Sequence, residues 1–218
     1  MILLIDHYSS FSYNLYQLVK KIHSDVAIVS SGQTGIEEIR QMKPQMIFLS
    51  AGWGKPEEEG VLTQIVKEFG KRIPIFGVGL GHLAVCQAFG AELVHVKNPV
   101  CGETVEIVVN TQSRLFREMG KTSMEVGGYY SLAADETRLP DCLRVTAKNR
   151  DRDIMAVEHK EYPVYGVQFH PESILTQDGR KLIDHILKEE VFSKMASSRI
   201  LSKIKEILKE RQSEEDSM

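Results

Sequence analysis

The sequence predicts an α/β fold with a mixed, mainly parallel central sheet flanked by helices. Three observations predict it. From residue 2 to residue 78, short apolar runs alternate with helix-period patterns, the signature of parallel strands joined by crossover helices. A glycine-rich turn, Gly77-Val78-Gly79-Leu80-Gly81-His82, then joins an apolar run to a helix-like one. Beyond it, strand-like runs follow one another across short turns, which adds an antiparallel portion.

In chain order, residues 2–5 form the first strand. Residues 12–21 form a helix with Leu15, Leu18, Val19 and Ile22 on one face. Strands are expected at 26–29 and 46–49, with a short helix at 35–42 between them. A helix at 60–69 precedes the run 73–78 that leads into the glycine turn, and 83–89 continues as helix. Six further strands are expected at 92–96, 104–109, 124–126, 144–148, 154–159 and 164–169, followed by a helix at 175–187.

Residues 1–190 read as one domain, and 191–218 as an amphipathic helical extension. In that extension Ile200, Leu201, Ile204, Ile207 and Leu208 recur at helical spacing among Lys and Glu. This stripe covers either its own domain or another chain, and a contact between copies through 199–209 is one reading.

Composition excludes several classes. In 218 residues with 42% hydrophobic content there is enough apolar material for a sizeable core. A net charge of −3 gives no reason to expect nucleic-acid or membrane-surface binding. Cys86, Cys101 and Cys142 are odd in number and far apart, which argues for a reducing, cytoplasmic setting. The start reads as a buried strand, and no apolar run approaches the ~20 residues of a membrane helix. The histidines do not cluster at metal-ligand spacing; no metal or cofactor is expected.

The chemistry concentrates in two places. A tight strand-to-helix turn flanked by small residues is how α/β enzymes present a nucleophile over a helix N-terminus. Here the apex is Gly79, which has no side chain. Far downstream, Gln168-Phe169-His170-Pro171-Glu172 places an imidazole and a carboxylate two residues apart.

Five segments in one order resemble the class I glutamine amidotransferases, over roughly residues 1–190. They resemble most the subunit that feeds ammonia to anthranilate or aminodeoxychorismate synthase. Residues 5–15, IDHYSSFSYNL, resemble that family's IDNYDSFTYNL; 49–56, LSAGWGKP, its SPGPGxP loop; and 127–132, GGYYSL, its GRYHSL. The elbow is the fourth segment, and GVQFHPESI at 166–174 is the fifth. The resemblance implies the flavodoxin-like, doubly wound fold, with the site at the carboxyl ends of the strands.

It also implies roles. A thiolate at position 79 would attack the glutamine carboxamide, His170 would take the proton, and Glu172 would orient His170. The amides of Gly52 and Leu80 would stabilise the oxyanion. The backbone of Ser131 and Leu132 would hold the α-amino and carboxylate end of glutamine, and position 83 would bind it as well. The sequence departs from that pattern around one pocket. Gly79 replaces Cys, Leu83 replaces Gln, Ala51 and Trp53 replace prolines, Tyr130 replaces His, and His7 and Ser9 replace Asn and Asp. Trp53 adds bulk where a small ligand should enter.

Cys86, two helical turns past the apex, is expected in the core, and Cys142 in a turn. Cys101 stands where the family has a loop bordering the site. A thiol there could approach His170, but lacks the helix N-terminus that lowers a thiol's pKa. His82 is expected to be a turn residue. His170 and Glu172 read either as a retained structural pair or as a working one.

The chain is therefore expected to be a glutamine amidotransferase-like subunit lacking glutaminase activity. It would dock on a chorismate-using synthase subunit as a scaffold or a glutamine sensor. Two alternatives are a small-ligand enzyme using His170 and Glu172, and a stand-alone dimeric binding protein.

Overall fold

A computed structural model describes residues 1–56 and 60–192. The expected amphipathic helix, with its 199–209 contact, lies outside the described residues. Strands β1 (Ile2–His7), β2 (Val26–Ser30), β3 (Met46–Gly52) and β4 (Ile75–Val78) alternate with helices α1 (Ser12–Lys20), α2 (Ile36–Met42) and α3 (Val61–Phe69). Helix α4 (Leu80–Ala88) follows β4 directly. Then come β5 (Leu93–Val109), β6 (Ser123–Ala134), β7 (Leu143–Asn149), β8 (Ile154–His159), β9 (Val164–Val167) and α5 (Gly179–Leu187).

The nine strands of the described residues form one sheet in the order β2-β1-β3-β4-β9-β8-β7-β5-β6. The first five run parallel, in the order of a flavodoxin-like sheet. The remaining pairings are antiparallel and form the expected antiparallel portion of a mixed sheet.

Strand periodicity explains the two helical layers. Along β1, Ile2 and Leu4 face one core while Leu3 and Ile5 face the other. The first core receives Leu15 and Val19 of α1 and Leu182, Ile183 and Ile186 of α5. The second receives Ile39 of α2, Leu62, Ile65 and Phe69 of α3, and Ala84 and Val85 of α4. A strand buried on both faces must be apolar at every position, which is why residues 2–5 and 46–49 read as unbroken apolar runs.

The long ribbon β5–β6 departs from expectation. The runs at 92–96 and 104–109 belong to one strand that bulges between His95 and Val100 and again near Gly102, whose φ is +76°. Strand β6 extends through Gly127–Leu132 because pairing with β5, not local propensity, decides it. The last helix starts at Gly179 rather than 175, since the preceding hydroxyls are engaged elsewhere. The Thr176 hydroxyl donates to the His170 carbonyl at 2.6 Å and accepts from the Gly127 amide at 2.8 Å.

Candidate active site

The site grows from two neighbouring parallel strands that end at the same level. In the β4–β9 pairing, Gly77 lies opposite Gly166 and Val78 opposite Val167. The chain leaves β4 into Gly79 and leaves β9 into Gln168, Phe169 and His170. The Gly79 amide donates to the Val167 carbonyl at 2.9 Å, and the Leu83 amide to the Gly79 carbonyl at 3.1 Å. The elbow is thereby tied both to the strand that leads into His170 and to its own helix.

Gly79 has φ +54° and ψ −109°, a conformation that side chains rarely adopt. Close approach fixes Gly81 too: a Cβ there would stand 2.5 Å from the Leu49 carbonyl oxygen. These glycines let α4 start tight against the strand ends. Its first amides have no intrahelical acceptor, and the positive end of its dipole faces the site.

His170 is locked in place. Its amide donates to the Gly127 carbonyl at 3.0 Å, forming an isolated bridge between β6 and the post-β9 segment. Its Nδ1 pairs with Glu172 Oε1 at 2.7 Å, and both side chains are buried. The rings of Phe11 and Tyr129 pack on it at 5.1 and 4.8 Å between centroids. This leaves Nε2 directed at the elbow. A Cβ built on Gly79 would lie 3.3 Å from His170 Nε2 and 3.1 Å from the Ala51 Cβ.

These groups open onto a cleft of about 520 Å³. The cleft is lined by Gly52, Leu80, Leu83, Ser131, Leu132 and His170, so the structure brings together the expected binding positions with the expected base. Glu172 sits behind His170. Trp53 lines the cleft but is 77% exposed: it stands at the rim and does not fill the space. His7, noted in the sequence as a departure, shapes the Gly52 loop. Its amide donates to the Ser50 hydroxyl, which donates to the Ala51 carbonyl; its Nδ1 pairs with the Ser31 hydroxyl at 2.6 Å.

The thiols divide as expected. Cys86 is buried, and desolvation pushes its thiol up to about 12. Cys101 is exposed and lines the cleft, but it belongs to β5 and is remote in sequence from the elbow. His82 is not a turn residue. It lies in the first turn of α4, fully buried against Gly166, and burial lowers its pKa to about 4.

Two features escaped the sequence reading. Gln168 lines the cleft, is 2% exposed, and its Oε1 has no partner among the described residues. The available signal is spacing alone, since Gln168 stands two positions before His170 in the segment that leaves β9. The aromatic walls Phe11 and Tyr129 come from distant elements, and only the fold unites them. Among the described residues, no group of three His, Cys, Asp or Glu could hold a metal ion. No described helix is long and apolar enough to cross a membrane.

Comparison with known proteins agrees with this fold. The family described as Glutamine amidotransferase class-I matches residues 3–189. The bifunctional protein TrpGD of Thermotoga maritima is 39% identical over 188 residues, which cover 85% of this chain; the chain spans 32% of that protein's length. The aminodeoxychorismate/anthranilate synthase component 2 of Bacillus subtilis is 35% identical over 188 residues, covering 86% of this chain and 96% of that protein. A solved glutamine amidotransferase from Thermotoga maritima shares the fold. Its TM-score is 0.63 at 18% identity, covering 92% of this chain and 87% of that one.

Proposed function

The chain belongs to the class I glutamine amidotransferase family, and from that premise we propose that it is a synthase subunit without glutaminase activity of its own. One observation carries the reading. The elbow, the oriented His170–Glu172 pair and the cleft are all present, but residue 79 is glycine, so no side chain starts from the point 3.3 Å from His170 Nε2 where a Cβ leading to a nucleophile would stand. Without a side chain there, no covalent intermediate forms and His170 has no proton to take from the elbow. Loss of the nucleophile from such a unit costs on the order of 10⁶ in rate.

The similarity to a Bacillus subtilis synthase component 2 supports a role beside a chorismate-using synthase subunit. There the chain serves as scaffold, and the synthase draws on free ammonia. A glutamine-sensing version of this role keeps the backbone groups of Gly52, Leu80, Ser131 and Leu132 as anchors. The three free cysteines support a reducing, cytoplasmic setting.

The test is ammonia release from glutamine, with and without the candidate synthase subunit, alongside co-purification of the two. Background release together with a stable complex is expected. Turnover near ~1 s⁻¹, within the usual enzyme range, overturns the inactive reading. Failure of the two chains to associate overturns the scaffold. The alternative of a small-ligand enzyme draws on the same oriented pair opening onto a roomy cleft.

A further inference from the structure

The base and the strand that faces it across the cleft belong to distant parts of the sheet. Strand β6 carries Tyr129, Ser131 and Leu132 into the lining. It is an edge strand, and β8, β7 and β5 separate it from β9, the strand that leads into His170. No ladder therefore sets β6 against β9. The sheet curls until Gly127 of β6 meets His170 in an isolated bridge.

A side-chain hydroxyl closes that bridge. The His170 amide donates to the Gly127 carbonyl at 3.0 Å. The Gly127 amide donates to the Thr176 hydroxyl at 2.8 Å, and the hydroxyl donates to the His170 carbonyl at 2.6 Å. These bonds make a ring through the backbone of Gly127 and His170, and buried Thr176 supplies its side-chain link. A hydroxyl suits the task because it donates and accepts at once.

The turn that returns Thr176 to the bridge is itself tied down. The Ser173 amide donates to the His170 carbonyl at 3.2 Å, and the Thr176 amide to the Ser173 carbonyl at 3.0 Å. The Tyr129 and Ser173 hydroxyls meet at 3.3 Å, so the turn also holds the aromatic ring that packs on the imidazole.

The two halves of the site are thus built separately and joined at this ring. Glu172 orients the imidazole toward the elbow, while Ser131 and Leu132 ride on β6. A small slide of β6 would leave each half intact. It would still carry anything held on Ser131 and Leu132 away from Nε2. Misplacement by 1 Å can cost about 10²-fold in rate.

We infer that Thr176 is a positioning residue: its hydroxyl sets the height of His170 against the binding strand β6. Thr176 does not itself line the cleft, so it acts through His170 and Gly127. The inference rests on reading the cleft as an amidotransferase site that lacks only parts of its machinery.

The test compares Thr176→Val, which removes both bonds but keeps the shape, with Thr176→Ser, which keeps both. In the full chain the readouts are the ring-nitrogen resonances of His170, identified by their loss in His170→Gln, hydrogen exchange at the Gly127 amide, and the melting temperature. Thr176→Val should shift the resonances and speed Gly127 exchange about tenfold or more. Thr176→Ser should leave both near the parent. In the Gly79→Cys background, Thr176→Val should lower kcat about tenfold or more with KM held within about twofold, and Thr176→Ser should restore it. A lower melting temperature with unmoved resonances means a structural role alone and overturns the inference. Equal effects of Val and Ser, or a fall in activity carried by KM, overturn it too. Should Thr176→Val not fold, Thr176→Ala is compared with Thr176→Ser in the same way. If Gly79→Cys releases no ammonia with Thr176 intact, the reading of the cleft fails, and the resonances still decide the role of Thr176.

Discussion

His170 Nε2 stands 3.3 Å from the point where a Cβ on Gly79 would be, with the Gly79 amide bonded to Val167 of β9 and His170 three residues beyond that strand's end. This relationship fixes what a side chain at position 79 can do. Any hydroxyl or thiol introduced there would be delivered to an imidazole already oriented by Glu172.

Gly79→Cys should therefore create measurable glutaminase activity, but not the full activity of an intact enzyme. Leu83 offers no hydrogen bond to a glutamine amide, a deficit of about 1–3 kcal/mol. The double variant with Leu83→Gln should exceed the single by about tenfold or more. Ammonia release and its sensitivity to iodoacetamide measure both. Equal activity of the single and double variants would show Leu83 to be incidental. Both should be less stable than the parent by about 1–3 kcal/mol, because φ is +54° at this position.

Gly81→Ala should damage the fold itself. The added methyl would stand 2.5 Å from the Leu49 carbonyl oxygen, which belongs to a buried strand and cannot step aside. We expect a loss of about 3 kcal/mol, lowering the melting temperature by about 10 °C. A melting curve unchanged within a degree would contradict the close helix–strand approach.

Burial lowers the pKa of His82 to about 4, against an ordinary value of 6.5. The unfolded chain thus binds a proton between those values that the folded chain does not. Stability is complete above about pH 6.5 and falls as pH drops toward 4. For this group alone the loss between pH 7.5 and 5 is about 2 kcal/mol. Denaturant midpoints across that range should show the slope, and His82→Gln should flatten it. An unchanged slope in the variant assigns the effect to other groups.

Thiol accessibility separates the cysteines. Maleimide should label Cys101 quickly in the native protein and spare Cys86, whose thiol is buried and pushed up to about 12. Peptide mass spectrometry reads the order. Native-state labelling of Cys86 at the rate of Cys101 would mean that α4 opens far more readily than its packing suggests.

Much of this was legible in the sequence, for physical reasons. Strands buried on both faces must be apolar throughout, so β1, β3 and β4 announce themselves. The elbow is equally plain, because only glycines permit its approach. The site residues Gly79, His170 and Glu172 sit in two short motifs. Pieces of the ribbon β5–β6 were legible, but not its continuity, because Gly102, Gly127 and Gly128 interrupt any alternation and cross-strand pairing alone extends it. The burial of His82 and the orphaned oxygen of Gln168 depend on what other elements place beside them, which no local pattern reports.

The strand order also bears on how the chain must be made. Strand β4 sits mid-sheet, yet its second neighbour, β9, spans residues 164–167 and is synthesised long after it. Until those residues emerge, one side of the apolar segment Ile75–Val78 has no partner to pair with. Such an open edge is a template for association between chains, and closing it requires a contact between distant parts of the sequence. A nascent chain halted before residue 164 should therefore be captured by holdase chaperones, and one released after residue 192 should not. Central placement of the last strand makes the newborn protein dependent on its own completion.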